Sequence, residues 1–215
     1  MFDTHDYQSH LSKFILPTKN KSMSQTKPDI YQSNHCPPCP PTASTVDKCI
    51  YWLGIGLGSG LPRRAAGTWG TVGGLVVALP MIWAGFWVFV VVTLIGLIIG
   101  SFICGQTSRL MGIDDDPHIV WDEWVGMWLS LLPTVFVLHQ FGQLNDFYPN
   151  SITFWIVIVL SFGLFRLFDV LKPAPISWAD KHVSGGFGIM LDDVLAGIIA
   201  GMITVIIVFS FAPMT

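Results

Sequence analysis

The sequence predicts an all-α protein, a polytopic transmembrane helical bundle with an interfacial or re-entrant N-terminal helix. Three observations predict it. Hydrophobic residues make up 52% of the 215, while Asp, Glu, Lys and Arg make up only 12%, about half the usual charged share of a soluble domain. A chain so poor in charge cannot coat a globule of its own size. Residues 65–108 contain no Asp, Glu, Lys or Arg, a run of 44, and residues 147–165 and 194–215 are equally free of them. Uncharged apolar runs of about 20 residues match the ~30 Å of hydrocarbon that a helix must cross. Finally, the six basic residues beyond Lys48 can all be placed on one membrane face. A net charge of −3 with no basic stripe excludes a nucleic-acid partner, and four cysteines do not make a disulfide-built scaffold.

Residues 1–47 are rich in Ser, Thr, Gln, Asn, Lys and Pro without apolar periodicity, so they read as a disordered N-terminal extension. They lack the apolar core of a signal peptide, and Met23 is an alternative start. Cys36-Pro-Pro-Cys39 beside His35 has the spacing of half a zinc site or of a redox pair. No second such pair exists, and these cysteines read as incidental. The membrane-embedded domain is then 48–215. Its first segment, Cys49–Leu61, is too short to span and alternates Gly54, Gly56, Gly58 and Gly60, which a lipid-exposed helix would not favour.

The uncharged runs predict spans near 70–84, 86–105, 122–140, 150–169 and 192–213. The 44-residue gap is too long for one crossing, and Pro80 to Gly85 supplies a break. Treated as a hairpin, it puts Arg63, Arg64 and Arg109 on one side, and Arg166, Lys172 and Lys181 return to that side two spans later. By the positive-inside tendency this face is cytoplasmic, with 84–86 and 141–149 on the other. One long span over 70–105 would divide the basic residues between the faces.

The acids gather on the same face: Asp114 to Asp116, Asp122-Glu123, Asp169, Asp180 and Asp192-Asp193. Several lie at predicted span ends, where charge is expensive and usually functional. Arg166, Asp169 and Lys172 recur every third residue, so a helix running to Pro173 presents them together. Asp193, Gly197 and Gly201 recur every fourth, setting a carboxylate above a stripe of small residues where another helix can approach. Asp122 stands likewise above Gly126. Oxygen ligands without a His or Cys cluster suit a hard cation, Mg²⁺ above others. Acids beside Arg and Lys suit metal and phosphate together. Asp192-Asp193 reads alternatively as a pair placed at its helix's first turn to favour the macrodipole. Gly185-Gly186-Phe187-Gly188 reads as a loop, either merely flexible or offering backbone N–H groups to a phosphate. His118, His139 and His182 show no metal spacing.

Four motifs in order resemble the phosphatidylglycerophosphatase A family over about residues 48–213. They are Gly58-Ser-Gly60 with Ala66-Gly-Thr68-Trp-Gly70-Thr, then Ile119-Val-Trp-Asp122-Glu123-Trp-Val-Gly126, then Phe165-Arg166-Leu-Phe-Asp169-Val-Leu-Lys172-Pro173, then Gly185-Gly-Phe-Gly-Ile-Met-Leu-Asp192-Asp193-Val-Leu-Ala-Gly197. The resemblance implies a Mg²⁺-dependent lipid phosphatase of the bacterial inner membrane. It would hydrolyse the anionic phospholipid phosphatidylglycerophosphate to phosphatidylglycerol and phosphate, with its active site facing the cytoplasm. Asp122, Glu123, Asp192 and Asp193 are then expected as metal ligands, with Glu123, Asp169 and Asp193 catalytic. Arg166, Lys172, Arg63, Arg64, Gly67 and Thr68 are expected at the substrate, and Asp169 either orients the cations or acts as base. Oligomeric state is left open. The rival reading is a membrane transporter or channel with an acidic ion site on that face. Transporters usually carry such acids near mid-span and show duplicated halves; here they cluster at one end.

Overall fold

The computed structural model describes residues 35–211, and the regular structure among them is helical. The expected extension 1–47 lies mostly outside the described residues. Its last stretch is built: α1 (Thr45–Gly54) begins three residues before the expected domain boundary. The Ser44 hydroxyl accepts the Asp47 N–H at 3.1 Å, and the Asp47 carboxylate accepts the Ser44 N–H at 3.3 Å. This reciprocal pair satisfies two of the donors a helix start leaves open. Buried Tyr51 donates its hydroxyl to the Pro37 carbonyl at 2.7 Å and meets Cys36 Sγ at 3.4 Å. Burial is the largest cause raising the Cys36 thiol above its ordinary range, which disfavours the thiolate that metal binding or disulfide exchange needs.

At ten residues, α1 is too short to cross a bilayer. It lies on the last turns of α3 (Phe86–Met111), where Gln106 donates to Asp47 at 3.2 Å and Thr107 to the Ile50 carbonyl at 3.4 Å. The alternating glycines then make a tight turn. Gly56 takes φ +57°, and a Cβ there would stand 2.7 Å from the Trp124 indole nitrogen.

Helix α2 (Ala66–Trp83) and α3 form the expected hairpin, breaking at Ala84–Gly85, where Gly85 takes φ +127°. Pro80 lies inside α2 rather than at the break. α3 exposes Trp87, Val91, Leu94, Ile98 and Phe102, a stripe at helical spacing suited to lipid. Its opposite stripe, Phe89, Thr93, Gly96, Gly100 and Ile103, is buried.

Helix α4 (Trp121–Gln140) is the axis of the bundle. Fourteen of its 20 residues are buried, against five of 20 in α5 (Ile152–Leu171). Short α6 (Ile176–His182) follows α5, and α7 (Gly185–Phe211) completes the fold. By length and composition α2, α3, α5 and α7 can each cross a membrane. The fifth expected span, α4, need not be as apolar, because its neighbours and not lipid surround it. Its main partner is α7. A Cβ at Gly197 would collide with the Gly126 carbonyl oxygen, and one at Gly201 would lie 2.8 Å from that of Ser130. In hydrocarbon such close backbone approach, rather than hydrophobic burial, holds helices together. Three indoles of α4 tie it to its surroundings: Trp121 donates to the Gly96 carbonyl at 3.2 Å, Trp124 to Ser59 at 3.2 Å and Trp128 to the Gly74 carbonyl at 2.8 Å.

Candidate active site

One end of the bundle gathers the starts of α2 and α4, the end of α5 and the third turn of α7. Asp122 and Glu123 occupy the first turn of α4, where the helix dipole favours negative charge. Asp192 and Asp193 do not open their helix as the sequence suggests. α7 starts at Gly185, so they stand two turns in, beyond the reach of the dipole at its end. The Gly185-Gly186-Phe187-Gly188 stretch is accordingly helix and not loop. Gly186 packs so tightly on α3 that a Cβ would run into the Ser101 carbonyl oxygen.

The carboxylates form two groups. In one, Asp122, Glu123 and Asp193 each bring an oxygen within 4.8 Å of the others; in the second, Asp169, Asp192 and Asp193 do the same. Asp193 belongs to both and is 3% exposed. Glu123 is 9% exposed, and its Oε2 has no hydrogen-bond partner among the described residues. Asp122 accepts the backbone N–H of Glu123 at 3.0 Å. Ligand oxygens around Mg²⁺ lie about 3.0 to 4.2 Å apart, from Mg–O bonds of about 2.1 Å in an octahedron. The first group therefore needs only a slight closing to hold such a cation.

The cations are arranged differently from the sequence expectation. Arg166 pairs with Asp169 one turn on. Lys172 does not join them on the helix face. It is the residue at which α5 ends, with φ +42°, and its ammonium reaches across to Asp192 at 2.7 Å. Asp192 is thus ion-paired. Gly67 is a close-approach position, where a Cβ would strike Glu123 Oε1 and sit 3.3 Å from both terminal nitrogens of Arg166. Thr71, one turn on from Gly67, is the α2 hydroxyl that meets Arg166. It donates to the Gly67 carbonyl at 2.9 Å and accepts from Arg166 at 3.4 Å. No contact with the site is seen for Thr68 among the described residues, and Arg63 and Arg64 stand exposed before α2.

Asp122, Glu123, Asp169, Lys172, Asp192 and Asp193 line a cleft of about 240 Å³, walled on one side by Asp115, Asp116, Pro117 and Ile119. That is room for about eight waters at ~30 Å³ each, enough for a phosphate group and a hydrated cation but not for acyl chains. A second cleft, reaching Ser108, Asp114 and Ser184, shares Asp115, Ile189 and Asp192 with it. Within the wall, buried His118 and Asp116 are bonded through Nδ1 and Oδ1 at 2.7 Å. The pair was not legible from an Asp-x-His spacing alone. The arrangement places buried carboxylates able to hold a divalent cation beside an Arg and a Lys able to hold phosphate.

The phosphatidylglycerophosphatase A family matches residues 52–208. A phosphatidylglycerophosphatase A of Haemophilus influenzae is 38% identical over 162 residues, covering 75% of this chain and 87% of that protein. One of Escherichia coli K12 is 37% identical over 150 residues, covering 69% and 77%. No solved structure matches the chain.

Proposed function

The chain belongs to the phosphatidylglycerophosphatase A family, and from that premise we propose that it hydrolyses phosphatidylglycerophosphate to phosphatidylglycerol and phosphate with the help of Mg²⁺. The observation that carries this reading is the meeting, in one cleft, of an unpartnered buried glutamate oxygen with Lys172 and with Asp169, which Arg166 pairs from beside the cleft. The donor set is all oxygen, which suits Mg²⁺, and Asp122, Glu123 and Asp193 are the residues that would hold it, with Asp192 adjoining. Bound there, Mg²⁺ would neutralise phosphate charge and help lower the barrier to water attack.

The remaining work falls to side chains. Arg166 offers a planar fork to two phosphate oxygens, held in place by Asp169 and Thr71. Lys172 adds a point charge from the end of the same helix. Asp169, already beside a guanidinium, orients it or takes the proton of the attacking water. The cleft admits the phosphomonoester while the acyl chains stay among the apolar helices, and the adjoining cleft gives the glycerol hydroxyl polar surroundings.

The orientation follows from the placement of the basic residues. The loop carrying Arg63 and Arg64, together with Arg109, Arg166 and Lys172, belongs to the cleft end, so this end faces the cytoplasm of a bacterial inner membrane. Single cysteines at Asn145 and Ser184 in a cysteine-free background should label from opposite sides. The decisive assay measures phosphate released from phosphatidylglycerophosphate vesicles with and without Mg²⁺. Magnesium-dependent release is expected; no release in either vesicles or detergent would overturn the reading.

A further inference from the structure

We infer that the substrate-free protein holds a single divalent cation, in the Asp122–Glu123–Asp193 group, because Lys172 and Arg166 already fill the Asp169–Asp192–Asp193 group. The inference rests on the phosphatase reading above and goes beyond it by separating two sites that the carboxylates alone would make equivalent. Both groups contain three acids, and they share Asp193. Their difference lies in what else touches them.

In the second group, Asp169 is paired with Arg166, and Asp192 holds the Lys172 ammonium at 2.7 Å. A guanidinium and an ammonium supply two positive charges to three carboxylates. A Mg²⁺ ion entering there would compete with Lys172 for Asp192 and repel Arg166 at close range, in surroundings that screen charge poorly. Asp192 retains one oxygen without a partner, but its side chain is more open, at 13% exposed, and its other oxygen is committed.

The first group has no such occupant. Neither Asp122 nor Glu123 has an ion pair among the described residues, and Glu123 Oε2 is nine-tenths buried without a donor. Buried carboxylates this close repel one another unless a cation sits between them. Of the protein's own cations, Lys172 is held at Asp192, and Arg166, though it stands near Glu123, is paired with Asp169. Exchange of Asp192 for a phosphate oxygen lets Lys172 change partner without leaving the cleft.

The test counts Mn²⁺, a spectroscopic stand-in for Mg²⁺, bound per full-length chain in lipid nanodiscs without substrate, using electron paramagnetic resonance. One ion per chain with an uncoupled signal is expected. Glu123→Gln should weaken that ion at least tenfold. Asp192→Asn should leave it within about threefold, because its ligands lie in the other group. Lys172→Met should admit a second ion, seen as two per chain with an exchange-broadened signal. Two coupled ions in the unaltered protein would overturn the inference, and so would loss of the single ion in Asp192→Asn but not in Glu123→Gln. Absence of any bound Mn²⁺ in the unaltered protein would instead overturn the metal-dependent phosphatase reading beneath it, which keeps the two failures distinguishable.

Discussion

The two ends of the bundle are built from opposite kinds of side chain. At the end formed by the α2–α3 turn and the segment between α4 and α5, Trp83 donates to the Phe147 carbonyl at 3.0 Å and stacks on Tyr148 at 5.6 Å. Beside them Phe86 lies flat on His139 at 4.5 Å, and Phe147 packs on Phe154 at 4.9 Å. These aromatic pairs complete one another from within the chain. At the other end five carboxylates meet two cations, and Glu123 keeps a buried oxygen that nothing among the described residues satisfies. An unmet buried acceptor costs roughly 1–3 kcal/mol. Thr93, Thr134 and Thr204, away from the cleft, also keep buried hydroxyls without a partner among the described residues, but these are neutral and scattered; only the cleft end gathers acids, and it is the end where a cation would find ligands.

That contrast is broken most directly at Glu123. Glu123→Gln and Asp193→Asn keep shape while removing charge, and each should lower turnover at least a hundredfold, about 2.7 kcal/mol of transition-state stabilisation. Phe86→Leu at the far end should leave turnover within twofold. Full activity in both amide variants would erase the distinction. Asp122→Asn should be partly rescued by excess Mg²⁺, since mass action offsets weakened affinity. Asp169→Asn should not, because its bonded partner is Arg166.

A smaller effect separates the two halves of the charged end. Arg166→Lys retains the charge but loses the fork that reaches both Asp169 and Thr71. Activity at low substrate should fall about tenfold, or ~1.4 kcal/mol, while Mn²⁺ binding stays unchanged. A lost metal signal in this variant would show that cation and phosphate sites are not distinct.

How much of this was legible in the sequence follows from what each feature depends on. The hairpin at 84–85 and the stripes Asp122–Gly126 and Asp193–Gly197–Gly201 depend on period and residue size, which the sequence displays directly. The Arg166–Asp169 pair depends only on helical spacing. Lys172 departs from it because Pro173 follows, and a residue before proline is biased off the helix. The start of α7 was misplaced because its glycines resemble a loop. One of them, Gly186, serves instead to bring α7 onto the backbone of α3 at Ser101 and Gly105, a tertiary reason invisible in one chain's order. Thr71 and the Asp116–His118 pair are common residue types whose roles exist only through neighbours. The Ser44–Asp47 cap was readable, with Asp in place of the commoner Glu, but a proline-rich flank masked it.

The aromatic end offers the converse prediction. Trp83→Phe keeps the ring and removes the indole donor to Phe147. It should cost about 1 kcal/mol of stability, the net worth of a typical hydrogen bond, and lower the thermal midpoint in detergent by a few degrees. Activity below the midpoint should be unchanged. A large activity loss with normal stability would show that the far end takes part in the chemistry.

The smallest effects belong to the N-terminal stretch, and here two truncations should differ. A chain starting at Met23 keeps Ser44, Asp47 and the cover that Cys36 and Pro37 place over Tyr51, so its activity and stability should match the full chain. A chain starting at Asp47 loses the Ser44 cap, worth about 1 kcal/mol, and uncovers the Tyr51 hydroxyl. α1 would still be held by Thr107 at Ile50 and by the Gly54 carbonyl, which accepts the Val120 N–H at 2.8 Å. Because Val120 immediately precedes the turn that carries Asp122 and Glu123, loosening α1 acts on the cleft most directly through this bond. The expected result is a slightly lower thermal midpoint with activity within about twofold at 25 °C. A tenfold loss of turnover in the shorter chain, with normal membrane levels and an unchanged midpoint, would mean that residues 35–46 act on the site directly, and would place a third region beside the two ends compared above.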